Sequence, residues 1–211
     1  MKDFTKEHAK WVGNIHKVLL TATAEEIANG EQWYAAANNA ALELATRHDV
    51  QPYIAAGVIA ALSPNNRWET NLANADTLIA AYLNGEDILS VRVATYHAMR
   101  AKAWLIMDYG TQHAPSVEGK QAVADILNGQ KIRSFYACIL GDENECTIDG
   151  HARNIAYNQR LSLSGSKFTI GKREYSALQA AYAQVGREIG MPAYAVQAVT
   201  WVAWRRAHGI A

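Results

Sequence analysis

Residues 127–158 read LNGQKIRSFYACILGDENECTIDGHARNIAYN, and the punctuation in this stretch sets the plan of the chain. Leu127, Asn128 and Gly129 end one helix, since a glycine just past the last turn is a common stop signal. A turn carrying Lys131 and Arg133 follows, then an apolar helix that closes near Gly141. The acidic loop DENE leads into TIDGH, where Asp149 stands at the mouth of a new helix, a position for which aspartate is among the preferred residues.

Outward from there the pattern is helical almost everywhere. Alanine is abundant, only four prolines occur in 211 residues, and apolar residues recur three and four apart. The spacing predicts about ten helices. One covers residues 4–20, with Trp11, Ile15, Val18 and Leu19 on one face. A second covers residues 24–48 with a break near Gly30, because glycine is costly inside a helix. Pro52 suits the first turn of a third, PYIAAGVIAAL, which is apolar all round and therefore buried. That helix must stop at SPNNRW, leaving Asn65, Asn66 and Arg67 on a loop above it. Further helices are expected over residues 68–83, 95–109, 116–127, 172–189 and 192–207. LSLSGSKFTI, within residues 160–170, alternates around a Ser-Gly-Ser turn and suggests a small β-hairpin.

Half of the residues are hydrophobic, so one compact helical domain over residues 1–211 is the expectation. Formal net charge is zero, but the charge is unevenly placed. Residues 1–89 hold six Lys or Arg against eleven Asp or Glu, and residues 90–211 hold fourteen against nine. A polyanion would meet the second half. Two cysteines, Cys138 and Cys146, are too few for a disulfide framework or a sulfur-based zinc site, which fits a reducing, cytoplasmic setting. No run of eighteen apolar residues and no signal-like N-terminus is present, so a membrane is not an expected partner. There is no Gly-rich phosphate loop, zinc motif or nucleophile elbow, and no metal or cofactor is expected.

Taken together, several segments resemble the helix-hairpin-helix DNA glycosylases of the endonuclease III type, over about residues 58–206. The buried helix running into LSPNN is similar to the family's buried helix and the polar loop that enters the base stack. TYHAMRAKAWLI is similar to its helix with a spaced lysine, here Lys102. LNGQKIRSFYACIL lies where the family has its hairpin, TIDGH where it has V-D-T-H with the catalytic aspartate, and AVQAVTWVAWRR where its late helix falls. The resemblance implies an all-α, two-lobed bundle with a cleft near Asn65 and Asp149. It also implies a monofunctional hydrolase of base excision that flips a nucleotide out of DNA and cleaves its N-glycosidic bond. Two positions depart from the pattern. Lys131 replaces the hairpin's second glycine, and Arg133, which cannot form an imine, stands where bifunctional members have lysine. A looser likeness links SPNN and TIDGHA to phage-encoded proteins, some of whose distant relatives modify thymine in phage DNA.

Each candidate residue has two readings. Asp149 can stabilise an oxocarbenium-like sugar or orient water, or it can simply cap a helix. His151, two residues on, can face the same pocket or be held by a backbone group. Gly129, Lys131 and Arg133 can hold a phosphate at a helix start, or form a solvated turn. Asn65, Asn66 and Arg67 can replace or read a flipped base, or form a Pro-Asn turn. Tyr96, Trp68, Trp104, Tyr136, Trp201 and Trp204 read as mostly core, and Arg205 and Arg206 as complements to a helix end. The competing functions are base modification in the same pocket, with Asp149 as general base or cation stabiliser, and a catalytically silent DNA- or protein-binding module.

Overall fold

The computed structural model describes residues 4–113, 116–161, 163 and 169–210, with the side chains of Thr111 and Val117 left out. Ten helices and no strands are present among them. No helix there is long and apolar enough to cross a membrane. Most of the expected hairpin over residues 160–170 lies outside the described residues, and its described flanks are not strand. The chain divides into two compact units, Met1–Ala35 with Gly141–Ala211, and Ala36–Leu140.

The second unit is built around α3 (Pro52–Leu62), in which every residue from Tyr53 to Leu62 is buried. Pro52 at the first turn needs no hydrogen-bond acceptor for its nitrogen, and an all-apolar surface requires cover on every side. The cover comes from α4 (Trp68–Leu83), α5 (His97–Gln112), α6 (Val117–Leu127) and α7 (Gln130–Ile139). Close approach is achieved with small residues. A Cβ on Gly57 would meet Val123 Cγ1 at 2.5 Å, and one on Gly110 would meet Ile54 Cδ1 at 2.7 Å. Helix ends are tied by side chains: Lys102 Nζ donates to Leu127 O at 2.6 Å, and Asn38 Nδ2 to Ile139 O at 2.8 Å. The α6–α7 turn is short, with Asn128 in the left-handed region (φ 51°) and Gly129 as N-cap of α7.

The first unit packs α1 (Thr5–Leu19), α8 (Gly150–Tyr157), α9 (Lys172–Ile189) and α10 (Ala193–Ala207) about Trp11, Ile15, Ile155, Leu178, Tyr182 and Val196. Helix α2 (Ala24–His48) begins in this unit. It is unbroken at Gly30, contrary to the sequence expectation, because the glycine serves packing: a Cβ there would lie 2.3 Å from Val199 Cγ2 on α10.

The α2 start is a reciprocal cap. Thr23 N–H donates to Glu26 Oε2 at 2.8 Å, and Glu26 N–H donates to Thr23 Oγ1 at 3.2 Å. Arg206 Nε then donates to Glu26 Oε1 at 2.6 Å, and its Nη2 to Thr21 O at 2.7 Å. Arg206 thus closes the end of α10 onto the start of α2. That hydrogen bond, foremost, holds the Glu26 carboxyl below its usual range. A group whose folded pKa is depressed stabilises the fold above its unfolded value and loses that contribution as pH falls through the folded value. Glu26→Gln is therefore expected to be less stable than wild type at neutral pH. The gap should narrow as pH drops below about 4.3, the unfolded glutamate value. Urea midpoints of both proteins across that window check it; a constant gap would mean that the charge of Glu26 plays no part.

Candidate active site

Asp149 is approached by a buried, non-helical segment, Cys146, Thr147 and Ile148. Backbone polar groups in such a segment need partners, and side chains from other elements supply them. Gln179 Nε2 on α9 donates to Cys146 O at 3.0 Å. The hydroxyl of Tyr175, also on α9, accepts the Ile148 N–H at 3.1 Å. The Thr147 hydroxyl pairs with the Tyr34 hydroxyl at 3.1 Å. The segment is pinned on both sides, so the residue that follows it is delivered to a fixed place.

Asp149 is the N-cap of α8, extended at φ −100° and ψ −173°, with Oδ1 accepting the Ala152 N–H at 2.8 Å. Its other oxygen is also engaged: the Trp201 indole Nε1–H donates to Oδ2 at 3.1 Å. An ionised carboxylate has about four acceptor positions, so these two bonds orient the group and leave lone pairs for a water or a substrate hydroxyl. The first turn of α8 is held from below, where the Tyr182 hydroxyl donates to Ala152 O at 3.1 Å. Burial, and to a lesser degree the Asp149 carboxylate, push the Tyr182 hydroxyl well above its usual pKa. It remains a neutral donor at any physiological pH.

Trp201 on α10 is the centre of this corner. His151 meets it edge-on, with ring centroids 6.0 Å apart and planes at 89°. The Arg205 guanidinium lies over its face, 4.2 Å from the ring centroid. Carboxylate, indole, imidazole and guanidinium thus converge, all half-buried and all within one unit.

The remaining candidates belong to the other unit. Asn65 is exposed and left-handed at φ 60°, a conformation asparagine tolerates better than most residues. Asn66 Nδ2 turns back to Leu62 O at 3.4 Å, so this side chain caps the end of α3. Arg67 is the exposed N-cap of α4. Lys131 and Arg133 are exposed on the first turn of α7. Arg133 Nη2 forms an exposed ion pair with Asp125 at 3.4 Å, a contact of small energetic weight.

Beyond geometry, a family-level match spans both units: the sequence profile of a family of unknown function covers residues 1–208. The chain belongs to that family, DUF7178. No curated protein and no solved structure matches it. The matched span includes Asp149, His151, Trp201 and Arg205 together.

Sequence reading missed Trp201 and Arg205. Among the aromatics expected in the core, Tyr136 and Trp204 are buried, whereas Tyr96 is 59% exposed and Trp201 serves Asp149. A signal was present: positions 201 and 205 are four apart, hence on one face of α10, and an aromatic under an arginine at that spacing favours stacking. Nothing local joined that pair to Asp149.

Proposed function

We propose that this protein is a DNA-directed hydrolase of the monofunctional glycosylase kind, with Asp149 as its catalytic carboxylate. The observation that carries this reading is the two-donor clamp on Asp149, from Ala152 N–H on one oxygen and Trp201 Nε1–H on the other. N-glycosidic cleavage develops positive charge on the sugar. An anion held in a fixed orientation is worth most at that step because it need not reorganise. The second half of the sequence, with its excess of Lys and Arg, supplies the charge for DNA contact. The short α6–α7 turn, with Gly129 at the cap and Lys131 and Arg133 in the first turn, supports the helix-hairpin-helix comparison. Arg133 offers no amine for an imine, which favours attack by water over a covalent route.

The test is base release from duplexes carrying a panel of damaged or modified bases, read as alkali-labile abasic sites. Strand scission after alkali with at least one substrate is expected. Tight binding to such duplexes without any base release would sink the hydrolase reading and leave a binding module.

Within this proposal Trp201 is a positioning residue. Trp201→Phe keeps the ring and removes the N–H, so Oδ2 loses its donor. About a tenfold fall in the single-turnover rate is expected, equivalent to ~1.4 kcal/mol, with KM for the duplex unchanged. A rise in KM at constant rate would show that the ring binds substrate and does not orient Asp149.

A further inference from the structure

Two neighbouring arginines end α10, and they are used in opposite ways. Arg206 is committed to the fold through Glu26 and the Thr21 carbonyl. Arg205 lies over the face of Trp201, its Cζ 4.2 Å from the ring centroid, and its Nε is enclosed without an acceptor. Among the described residues no carboxylate forms an ion pair with it. A guanidinium is always charged, and stacking on an indole fixes its plane while leaving its outer edge to donate. The same indole carries Asp149 on its Nε1 edge. One rigid aromatic plate therefore holds an anion at its rim and a cation on its face.

We infer that Arg205 binds a phosphodiester of the nucleotide whose sugar meets Asp149. This rests on the proposed function, and three features of the corner lead to it. Among the described residues the cation has no ion-pair partner, and a half-buried guanidinium without one is open to an anion from outside. Its fork matches phosphate geometry through two parallel N–H donors. In DNA the sugar whose C1′ becomes cationic carries phosphodiesters at its O3′ and O5′, so a carboxylate and a guanidinium on one indole match the charge pattern of the reacting unit. Asp149 faces the developing cation, and Arg205 faces the anion beside it. Trp201 fixes the relation between the two, because bending one away requires moving the ring that serves the other.

The experiment is a salt titration of binding to a duplex containing a stable abasic-site analogue, with wild type, Arg205→Gln, Arg205→Lys and Arg187→Gln. Arg187 is exposed near the end of α9 and controls for the loss of one positive charge. Arg205→Gln is expected to weaken binding about five- to tenfold near physiological salt and to flatten the log K against log salt slope by about one. Arg205→Lys should restore much of the slope but less of the affinity, and Arg187→Gln should change neither. Thermal melts of each variant establish that the fold persists. If Arg205→Gln keeps the wild-type slope, or if Arg187→Gln flattens it equally, Arg205 is not the phosphate contact, while the glycosylase reading survives. If wild type binds no duplex at all, it is the DNA reading that falls. The indole N–H signal of Trp201 during titration with a deoxynucleoside 5′-monophosphate then decides this one. Movement in wild type that is lost in Arg205→Gln upholds a phosphate site, and no movement overturns it.

Discussion

Asp149→Asn is expected to lower the single-turnover rate of base release by about 10²–10³-fold, the loss typical of deleting one preorganised electrostatic partner of a transition state. The fold should survive, because asparagine is as good an N-cap as aspartate and can still accept the Ala152 N–H. The replacement is nevertheless not silent. Asparagine has one acceptor oxygen, and its NH2 would face the Trp201 indole N–H, donor against donor. A stability loss of about 1–2 kcal/mol from that mismatch is expected by denaturant titration. Asp149→Ser separates the two effects, since serine keeps the cap and carries no charge to stabilise a sugar cation. Both variants should lose the chemistry and differ only modestly in stability. Should Asp149→Asn retain a rate within about threefold of wild type, Asp149 is a cap and nothing more.

Gly30→Ala is expected to destabilise the protein by about 1–3 kcal/mol, as overpacking does. An exposed helix interior would give the opposite sign, since alanine is worth up to about 1 kcal/mol over glycine there. The difference is what the new methyl would meet. At Gly30 it would lie 2.3 Å from Val199 Cγ2, 2.7 Å from Val199 N and 2.8 Å from Val199 Cα. The side chain can rotate away, but the backbone of α10 cannot without shifting Thr200 and Trp201 with it. Gly13→Ala in α1, where nothing lies within 4 Å of the added Cβ, should instead stabilise by about 0.5–1 kcal/mol. Urea unfolding of the two variants compares them directly. A gain at both positions would mean that α2 and α10 do not approach as closely as Val199 requires. Because Val199 lies two residues before Trp201, Gly30→Ala should also cost activity, a coupling that Gly13→Ala lacks.

The helices were legible because their signals are local. Pro52 at a first turn, Asp149 as a cap, Gly190 after a last turn and the run from Tyr53 to Leu62 each act within a few residues. The expected bounds 24–48, 68–83 and 172–189 match α2, α4 and α9. Gly30 misled for the same reason: helix propensity is a local quantity, whereas the partner that requires a glycine, Val199, is far away in sequence. Lys102 was singled out only by the resemblance to the glycosylases, and its work in the fold, holding the Leu127 carbonyl at the end of α6, depends on how α5 and α6 pack.

Asp149 could be nominated from TIDGH because a cap is a short-range device. The sequence by itself determined the all-helical architecture, the burial of α3 and the place of one carboxylate at a helix mouth. Only the tertiary structure decided what surrounds that carboxylate. The bond from Trp201 spans 52 residues, and Tyr175 and Gln179 on another helix hold the backbone of Ile148 and Cys146 just before it. Arg206 joins the fold where its neighbour Arg205 does not. Periodicity gives the face on which a side chain lies. It cannot give what that face meets, since packing is settled by the shapes of helices distant in sequence.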